Sequence, residues 1–172
     1  MTWTRLHDAC QHHKAIMVEQ LALTCAEEAL MTDDHGSIPL HVACAGHPPL
    51  SVIQALLKAR PTSVCQQDVD GNTPLHIAAS QPNMSADVIR ALLESCPASA
   101  FVKNKEGLMP LHMACRYAPK NDGVLECLME AYPEALECRT KVNRMCDTGD
   151  SINRDIDAHS IPFIRTFLKT LF

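Results

Sequence analysis

The sequence contains few aromatic residues and no long uninterrupted apolar segment. Aromatic side chains make up 4% of the chain, so a core must be built mainly from aliphatic residues, alanine and methionine. No run approaches the roughly 20 apolar residues that a membrane-spanning helix needs. The first residues, MTWTRLHDACQHH, also lack the apolar centre of a signal peptide. These absences predict an intracellular, cytoplasmic protein without membrane insertion, and they leave a nuclear location open.

Motifs of catalysis and of metal or phosphate binding are missing as well. There is no glycine-rich phosphate cradle, no G-x-S-x-G elbow and no H-E-x-x-H helix. The acidic stretch from Asp147 to Asp157 lacks the ligand spacing of an EF-hand and is interpreted as a polar loop. Adjacent histidines at 12 and 13 would point in different directions on a helix. We therefore predict no catalytic residues, no metal and no cofactor, and a standalone enzyme or metal protein is the least favoured class.

The net charge and the cysteine spacing argue against a nucleic-acid-binding protein and against a disulfide-rich or zinc-binding domain. A formal net charge of −5 gives no electrostatic reason to expect a nucleic-acid partner. Nine cysteines are present, but their spacing matches neither disulfide-rich small domains nor paired C-x-x-C zinc sites. Three of them, Cys10, Cys44 and Cys115, stand where a related segment has Ala79. A residue that alternates with alanine is interpreted as a small, reduced core residue.

What the sequence does contain is a repeat. Gly36, Gly71 and Gly107 lie 35 and 36 residues apart. The same step separates three copies of a Pro-Leu-His triplet: Pro39, Leu40, His41; Pro74, Leu75, His76; and Pro110, Leu111, His112. Each copy continues with a second signature, VIQALL, VIRALL or VLECLM, and then a proline. Two signals kept in register over three copies establish an internal repeat.

The residue types of one copy predict a turn followed by two helices. Asp or Asn three residues before Gly is turn chemistry, because the short side chain bonds nearby backbone and Gly accepts a positive φ. Proline suits the first turn of a helix, and Thr73 can cap the one that begins at Pro74. Leu75, Ala78 and Ala79 then lie on one narrow helical face. The VIRALL segment gives a second helix with a broader apolar face. One such unit buries too little surface to fold alone, so the units must stack.

The pattern D-x-x-G-x-T-P-L-H-x-A-A followed by V-I-x-x-L-L resembles the ankyrin repeat, and the stretch from Asp68 to Leu93 matches it closely. The resemblance implies an all-α solenoid with projecting β-turn fingers, in which the first helices line a concave groove. It also implies a non-catalytic module that binds another protein. In this family the histidine ties the turn to the helix, a role carried to His41, His76 and His112, and weakly to His7. The copies are longer than the usual repeat of about 33 residues, with the surplus placed in surface connections.

The domain prediction is a single, monomeric ankyrin-repeat domain over residues 1–172. A degenerate N-terminal capping repeat covers 1–32, and full repeats cover 33–67, 68–103 and 104–139. Residues 140–172 form a finger-like start at Thr140 to Asn143, a polar loop and a C-terminal capping helix. That helix would present an apolar face of Phe163, Ile164, Phe167, Leu168 and Leu171. Trp3 is interpreted as a cover for the first helix pair.

Partner-binding candidates are the positions that vary between copies while their neighbours stay constant. They comprise His35, Ser37, Asp70, Asn72, Ser80, Gln81, Lys105, Glu106, Leu108, Arg116 and Tyr117. Arg116 and Tyr117 are the preferred pair, because both residue types are enriched at binding hot spots. The leading hypothesis is an interaction module that binds a partner protein or an extended peptide in the groove. The alternative is a regulatory or targeting segment of a larger enzyme or channel.

Overall fold

The computed structural model describes residues 3–12, 14–118 and 120–131. Within these residues it contains eight α-helices and no strand. In chain order they are α1 Arg5–Gln11, α2 Ala15–Thr24, α3 Pro39–Ala45, α4 Leu50–Ala59, α5 Pro74–Ser80, α6 Ala86–Ser95, α7 Pro110–Tyr117 and α8 Asp122–Ala131. Short 3-10 turns at Ala26–Leu30, Pro61–Cys65 and Pro97–Phe101 follow the second helix of the first three pairs.

The helices are arranged in two layers. The short helices α1, α3, α5 and α7 each pack on the next one in that series, and α2, α4, α6 and α8 do the same. Each short helix also contacts the longer helix that follows it. This arrangement is an array of helical hairpins, and it confirms the predicted all-α solenoid.

The central pair of helices shows how the sequence pattern becomes a core. Leu75, Ala78 and Ala79 on α5 are fully buried, as the predicted helical face requires. On α6, Val88 and Leu92 are also fully buried. Since α5 contributes mainly small residues, its neighbours in the same layer approach closely, while the larger aliphatic residues of the second helices fill the space between layers.

The extra length of each repeat contributes to the core instead of forming a surface connection only. Ser63 and Ser99 in two of the 3-10 turns are buried, and so are Val64 and Ala100 beside them. The Ser63 hydroxyl donates to the Arg60 carbonyl at 2.6 Å. Ser99 makes the equivalent bond, to the Cys96 carbonyl, at 2.6 Å. The sequence predicts a surface connection at this place, and that prediction does not hold for these buried residues.

Cysteines in the short-helix layer behave as small core residues. Cys10 and Cys44 are fully buried, and every cysteine in the described part of the chain is unbridged. Burial raises the pKa of the Cys10 thiol to about 12 and raises that of Cys44 as well. Both are therefore protonated and unreactive at neutral pH.

Some predictions fall on residues that the structure does not describe. The finger-like start at 140–143 and the capping helix with Phe163, Ile164, Phe167, Leu168 and Leu171 lie outside the described residues. The predicted repeat boundaries also remain predictions. Among the described residues, no helix is both long and apolar enough to cross a membrane.

Candidate partner-binding surface

Three turns, here called fingers, precede the short helices: finger 1 is residues 33–37, finger 2 is 68–72 and finger 3 is 104–108. In finger 2 one Asp68 carboxylate oxygen accepts the Asp70 N–H at 2.9 Å and the Asn72 N–H at 2.8 Å. Gly71 has a φ of +78°, which an L side chain rarely adopts. Asp33 and Asn104 close fingers 1 and 3 by the same pair of bonds. The fingers are therefore rigid supports for their tip residues.

Neighbouring fingers are joined through their backbones. The Val69 N–H donates to the His35 carbonyl at 3.0 Å, and the Lys105 N–H donates to the Asp70 carbonyl at 2.9 Å. The side-chain amide of Asn104 adds a bond to the Asn72 side-chain oxygen at 2.9 Å. Hence the three tips form one continuous row, and their spacing is fixed by these bonds.

Three of the histidines, His7, His41 and His76, connect the start of their own helix with the next finger. Nδ1 of His76 accepts the Thr73 backbone N–H at 3.1 Å, and its Nε2 lies 3.0 Å from the Leu108 carbonyl. Because Nδ1 is an acceptor, the ring proton is on Nε2, which donates to that carbonyl. His41 forms the same pair of bonds with the Ile38 N–H (3.3 Å) and the Asn72 carbonyl (3.0 Å). His7 forms it with the Thr4 N–H (3.2 Å) and the Ser37 carbonyl (3.0 Å).

This bonding explains why the residue before the proline varies between copies. A helix start normally needs a side chain that bonds its free N–H groups. Here the N–H of the third helical residue bonds the carbonyl of the capping residue, as from His41 to Ile38 and from His76 to Thr73, each at 2.9 Å. The imidazole of that third residue in turn accepts the N–H of the capping residue, so neither bond needs a polar side chain at the capping position. His112 accepts the Met109 N–H at 3.0 Å in the same way. The histidines are therefore structural groups that order the fingers.

The histidines are held in their neutral form. Burial lowers the pKa of His41, of His76 and of His112 below the ordinary value, since removing the ring from water disfavours the imidazolium. A proton on Nδ1 would also break the bond to the capping N–H. The fold consequently depends on three imidazoles staying uncharged.

This dependence predicts that the protein loses stability on mild acidification. The unfolded chain binds protons near the ordinary histidine pKa of 6.5, whereas the folded chain binds them only at lower pH. Stability is therefore complete above about pH 6.5 and decreases as the pH falls through it. We expect the free energy of unfolding to drop by about 1–2 kcal/mol between pH 7.5 and 6.0. Each histidine can change this free energy by at most about 1.4 kcal/mol per pH unit. Urea titrations followed by circular dichroism measure this, and an unchanged or higher stability at pH 6.0 would contradict it.

The structure divides the eleven binding candidates into two groups. His35, Asp70, Lys105, Glu106, Arg116 and Tyr117 are exposed. Ser37, Asn72, Ser80, Gln81 and Leu108 are half-buried. Of the second group, Ser80 donates its hydroxyl to the Ile77 carbonyl at 2.7 Å within its own helix. Asn72 is engaged between fingers 2 and 3. The first group is thus more available to a partner.

Arg116 and Tyr117 meet the tip of finger 3. Arg116 lies 3.4 Å from a carboxylate oxygen of Glu106, and its guanidinium is 5.1 Å from the centre of the Tyr117 ring. The Tyr117 side chain is 48% exposed. These contacts show that the fingertip and the end of α7 share one surface, here called the groove face: the exposed finger residues together with the adjoining short helices.

A cavity of about 360 Å³ lies at the opposite end of the groove face. Its lining includes Trp3, Asp33, Ser37, Val42, Ala45 and Ile77. Ser37 is one of the eleven candidates. Ala45 and Gly46, which also line the cavity, stand at the end of α3, where the next copy has the candidates Ser80 and Gln81. Val42 and Ile77 occupy the variable position of P-L-H-x-A, a signal that could have identified them, but the sequence prediction does not include them. Both are only partly buried.

Trp3 lies at the edge of this cavity. Its ring centre is 5.1 Å from that of His7, so it covers part of α1 as the sequence predicts. The side chain nevertheless remains 45% exposed. Among the described residues, no group of three or more His, Cys, Asp or Glu side chains is arranged to hold a metal ion.

Comparison with known proteins agrees with this geometry. The family model for ankyrin repeats (three copies) matches residues 49–144, more than half of the chain. The human SMC5-SMC6 complex localization factor protein 1 is 32% identical over 79 residues, which cover 45% of this chain and 7% of that protein. Its bovine counterpart is 32% identical over 81 residues, covering 46% and 8%. The chain therefore spans a small part of these relatives. With this match and the stacked helical hairpins, the chain belongs to the ankyrin-repeat family, whose members typically mediate protein–protein interaction and are typically non-catalytic.

Proposed function

We propose that the protein binds a partner protein, or an extended segment of one, along the groove face. The observation that carries the proposal is the contact of Arg116 with Glu106, which joins a fingertip and a helix end in one exposed surface. These residues are not needed for packing. Arginine and tyrosine are also over-represented among residues that dominate binding energy.

The ordered fingers support the same role. Tip residues on a rigid row lose little conformational entropy on binding, so contacts with a partner retain more of their free energy. Both relatives are named as localization factors of the SMC5-SMC6 complex, and that name fits a partner-binding role for this chain. The absence of nucleic acid among the partners, the monomeric state and the alternative of a segment in a larger enzyme or channel remain predictions.

The test replaces Arg116 and Tyr117 with alanine together. We expect recovery of crosslinked partners from native cells to fall at least tenfold, because hot-spot truncations cost about 2 kcal/mol or more. Circular dichroism should show an unchanged fold, since both side chains are exposed.

The matched control is a double substitution of Gln54→Ala and Glu94→Ala, which removes two exposed side chains from α4 and α6. These lie in the other helical layer, and partner recovery should stay within twofold of the unaltered protein. An unchanged partner set for the Arg116 and Tyr117 variant would remove this part of the groove face from consideration.

A further inference from the structure

The cavity at the α1 end of the groove face has an apolar floor. Val42 on α3 and Ile77 on α5 line it from successive repeats, and Trp3 and Ala45 complete the apolar lining. Its volume of about 360 Å³ lies at the lower end of the range for ligand pockets. The cavity is thus large enough for one large apolar side chain, and residues of the first three predicted units line it.

The charge around this cavity is negative. Fingers 1 and 2 read DDHGS and DVDGN, which together contain four aspartates and neither lysine nor arginine. Asp34 and Asp70 are exposed at the tips. Finger 3 differs, because it contains Lys105 and lies beside Arg116. Among the described residues, the groove face is therefore acidic near the cavity and carries its lysine and arginine groups towards α7.

Basic residues of the first helix pair do not cancel this charge. Arg5 lies 3.4 Å from a Glu28 carboxylate oxygen, and Lys14 lies 3.4 Å from Asp8. Both cations thus have a carboxylate of their own. Among the described residues the four aspartates of fingers 1 and 2 form no ion pair, which gives this surface a negative potential. Such a potential favours a cationic partner and increases its rate of association.

We propose that the cavity receives a large apolar side chain of an extended partner segment, with arginine or lysine next to it in that segment. The apolar side chain buries against Val42 and Ile77. The neighbouring cation lies over the acidic fingers and within reach of the exposed face of Trp3, where a cation–π contact adds to the attraction. This inference rests on the proposed function and names the chemistry of the bound segment.

Fluorescein-labelled peptides and fluorescence anisotropy test the inference directly. The probe is a seven-residue peptide with a central phenylalanine, two arginines on either side and glycine at both ends. We expect it to bind at least tenfold more tightly than the same peptide with a central alanine, or with glutamates in place of arginines. Its affinity should fall as salt is raised from 50 to 300 mM, because the charges are exposed.

Variants of the cavity locate the binding. Ala45 is exposed and lines the cavity, so Ala45→Arg fills the mouth and repels the cations without entering the core. We expect Ala45→Arg and Trp3→Ala each to weaken binding of the phenylalanine peptide at least tenfold. Ala98→Arg makes the same chemical change at an exposed position away from the cavity, and it should stay within twofold.

Several results would overturn the inference. They are equal affinity for the alanine or glutamate peptide, no binding of any peptide, or binding of free indole as tight as that of the phenylalanine peptide. An unaffected Ala45→Arg variant would do so as well. If the Arg116 and Tyr117 variant loses its partners while Ala45→Arg keeps them, the proposed function stands and the cavity proposal fails. The reverse result places recognition at the cavity and rejects the pair at α7.

Discussion

Replacing His76 with alanine is expected to lower the free energy of unfolding by about 4 kcal/mol. The imidazole is fully buried and bonds the Thr73 N–H at 3.1 Å and the Leu108 carbonyl at 3.0 Å. Alanine leaves the Thr73 N–H buried without its acceptor, at about 1–3 kcal/mol, and the Leu108 carbonyl keeps only the Asn104 N–H at 2.9 Å. It also leaves a cavity in the short-helix layer. Since whole domains are stable by roughly 5–15 kcal/mol, the loss is a large fraction of the total.

Urea denaturation followed by circular dichroism measures this change. His35→Ala is the control, because its side chain is exposed at the tip of finger 1, and exposed substitutions usually change stability by less than about 0.5 kcal/mol. A loss below about 1 kcal/mol for His76→Ala would show that the two imidazole bonds contribute little. In that case the histidines would be dispensable for ordering the fingers.

Gly71→Ala is expected to be the second most damaging change, at about 3 kcal/mol. The residue has a φ of +78°, which costs an alanine about 1–2 kcal/mol. An added Cβ would also lie 2.9 Å from the backbone nitrogen of Lys105. That nitrogen donates to the Asp70 carbonyl, so the clash pushes fingers 2 and 3 apart and breaks the bond that joins them. Asp70→Ala, at an exposed position in the same finger, should leave the urea midpoint nearly unchanged.

Gly107→Ala uses the same argument to test the predicted finger at 140–143. Gly107 has the same φ of +78°, and within the described part of the chain nothing lies within 4 Å of its added Cβ. If residues 140–143 stack on finger 3 as the repeat predicts, the loss should equal that of Gly71→Ala. A loss of only about 1–2 kcal/mol, the cost of the backbone angle alone, would contradict a fourth finger.

The fold was predictable because its signals are local and repeated. The glycine, the Pro-Leu-His triplet and the VIRALL-type segment each specify a turn or a helix start, and their constant step specifies stacking. The buried 3-10 turns were not predictable in the same way. Whether Ser63 is exposed or covered depends on how closely adjacent repeats approach, which is a property of the stack and not of one copy.

The candidate surface was predictable only in part, for a related reason. Variation between copies identified the fingertips and the preferred pair at α7, and the structure brings Arg116 and Glu106 into contact. Variation between copies did not identify Val42 and Ile77. In the sequence, an apolar residue on a helix looks the same whether its side chain packs in the core or lines a cavity. The two cases can be told apart only in the structure, where Val42 and Ile77 lie on the side of the short-helix layer that no other described helix covers.

The hydrogen bond from the Nε2 atom of a histidine to the following finger has a consequence for the insertion of further repeats. His7, His41 and His76 each reach one carbonyl in the unit that follows. The units at 33–67 and 68–103 therefore each supply one imidazole and receive another. If a second copy of residues 68–103 were inserted after position 103, its finger carbonyl would accept the imidazole N–H of the preceding copy. Its own imidazole would donate to the carbonyl of the following finger. Duplication of such a gene segment would thus add a repeat inside the protein at no loss of these bonds.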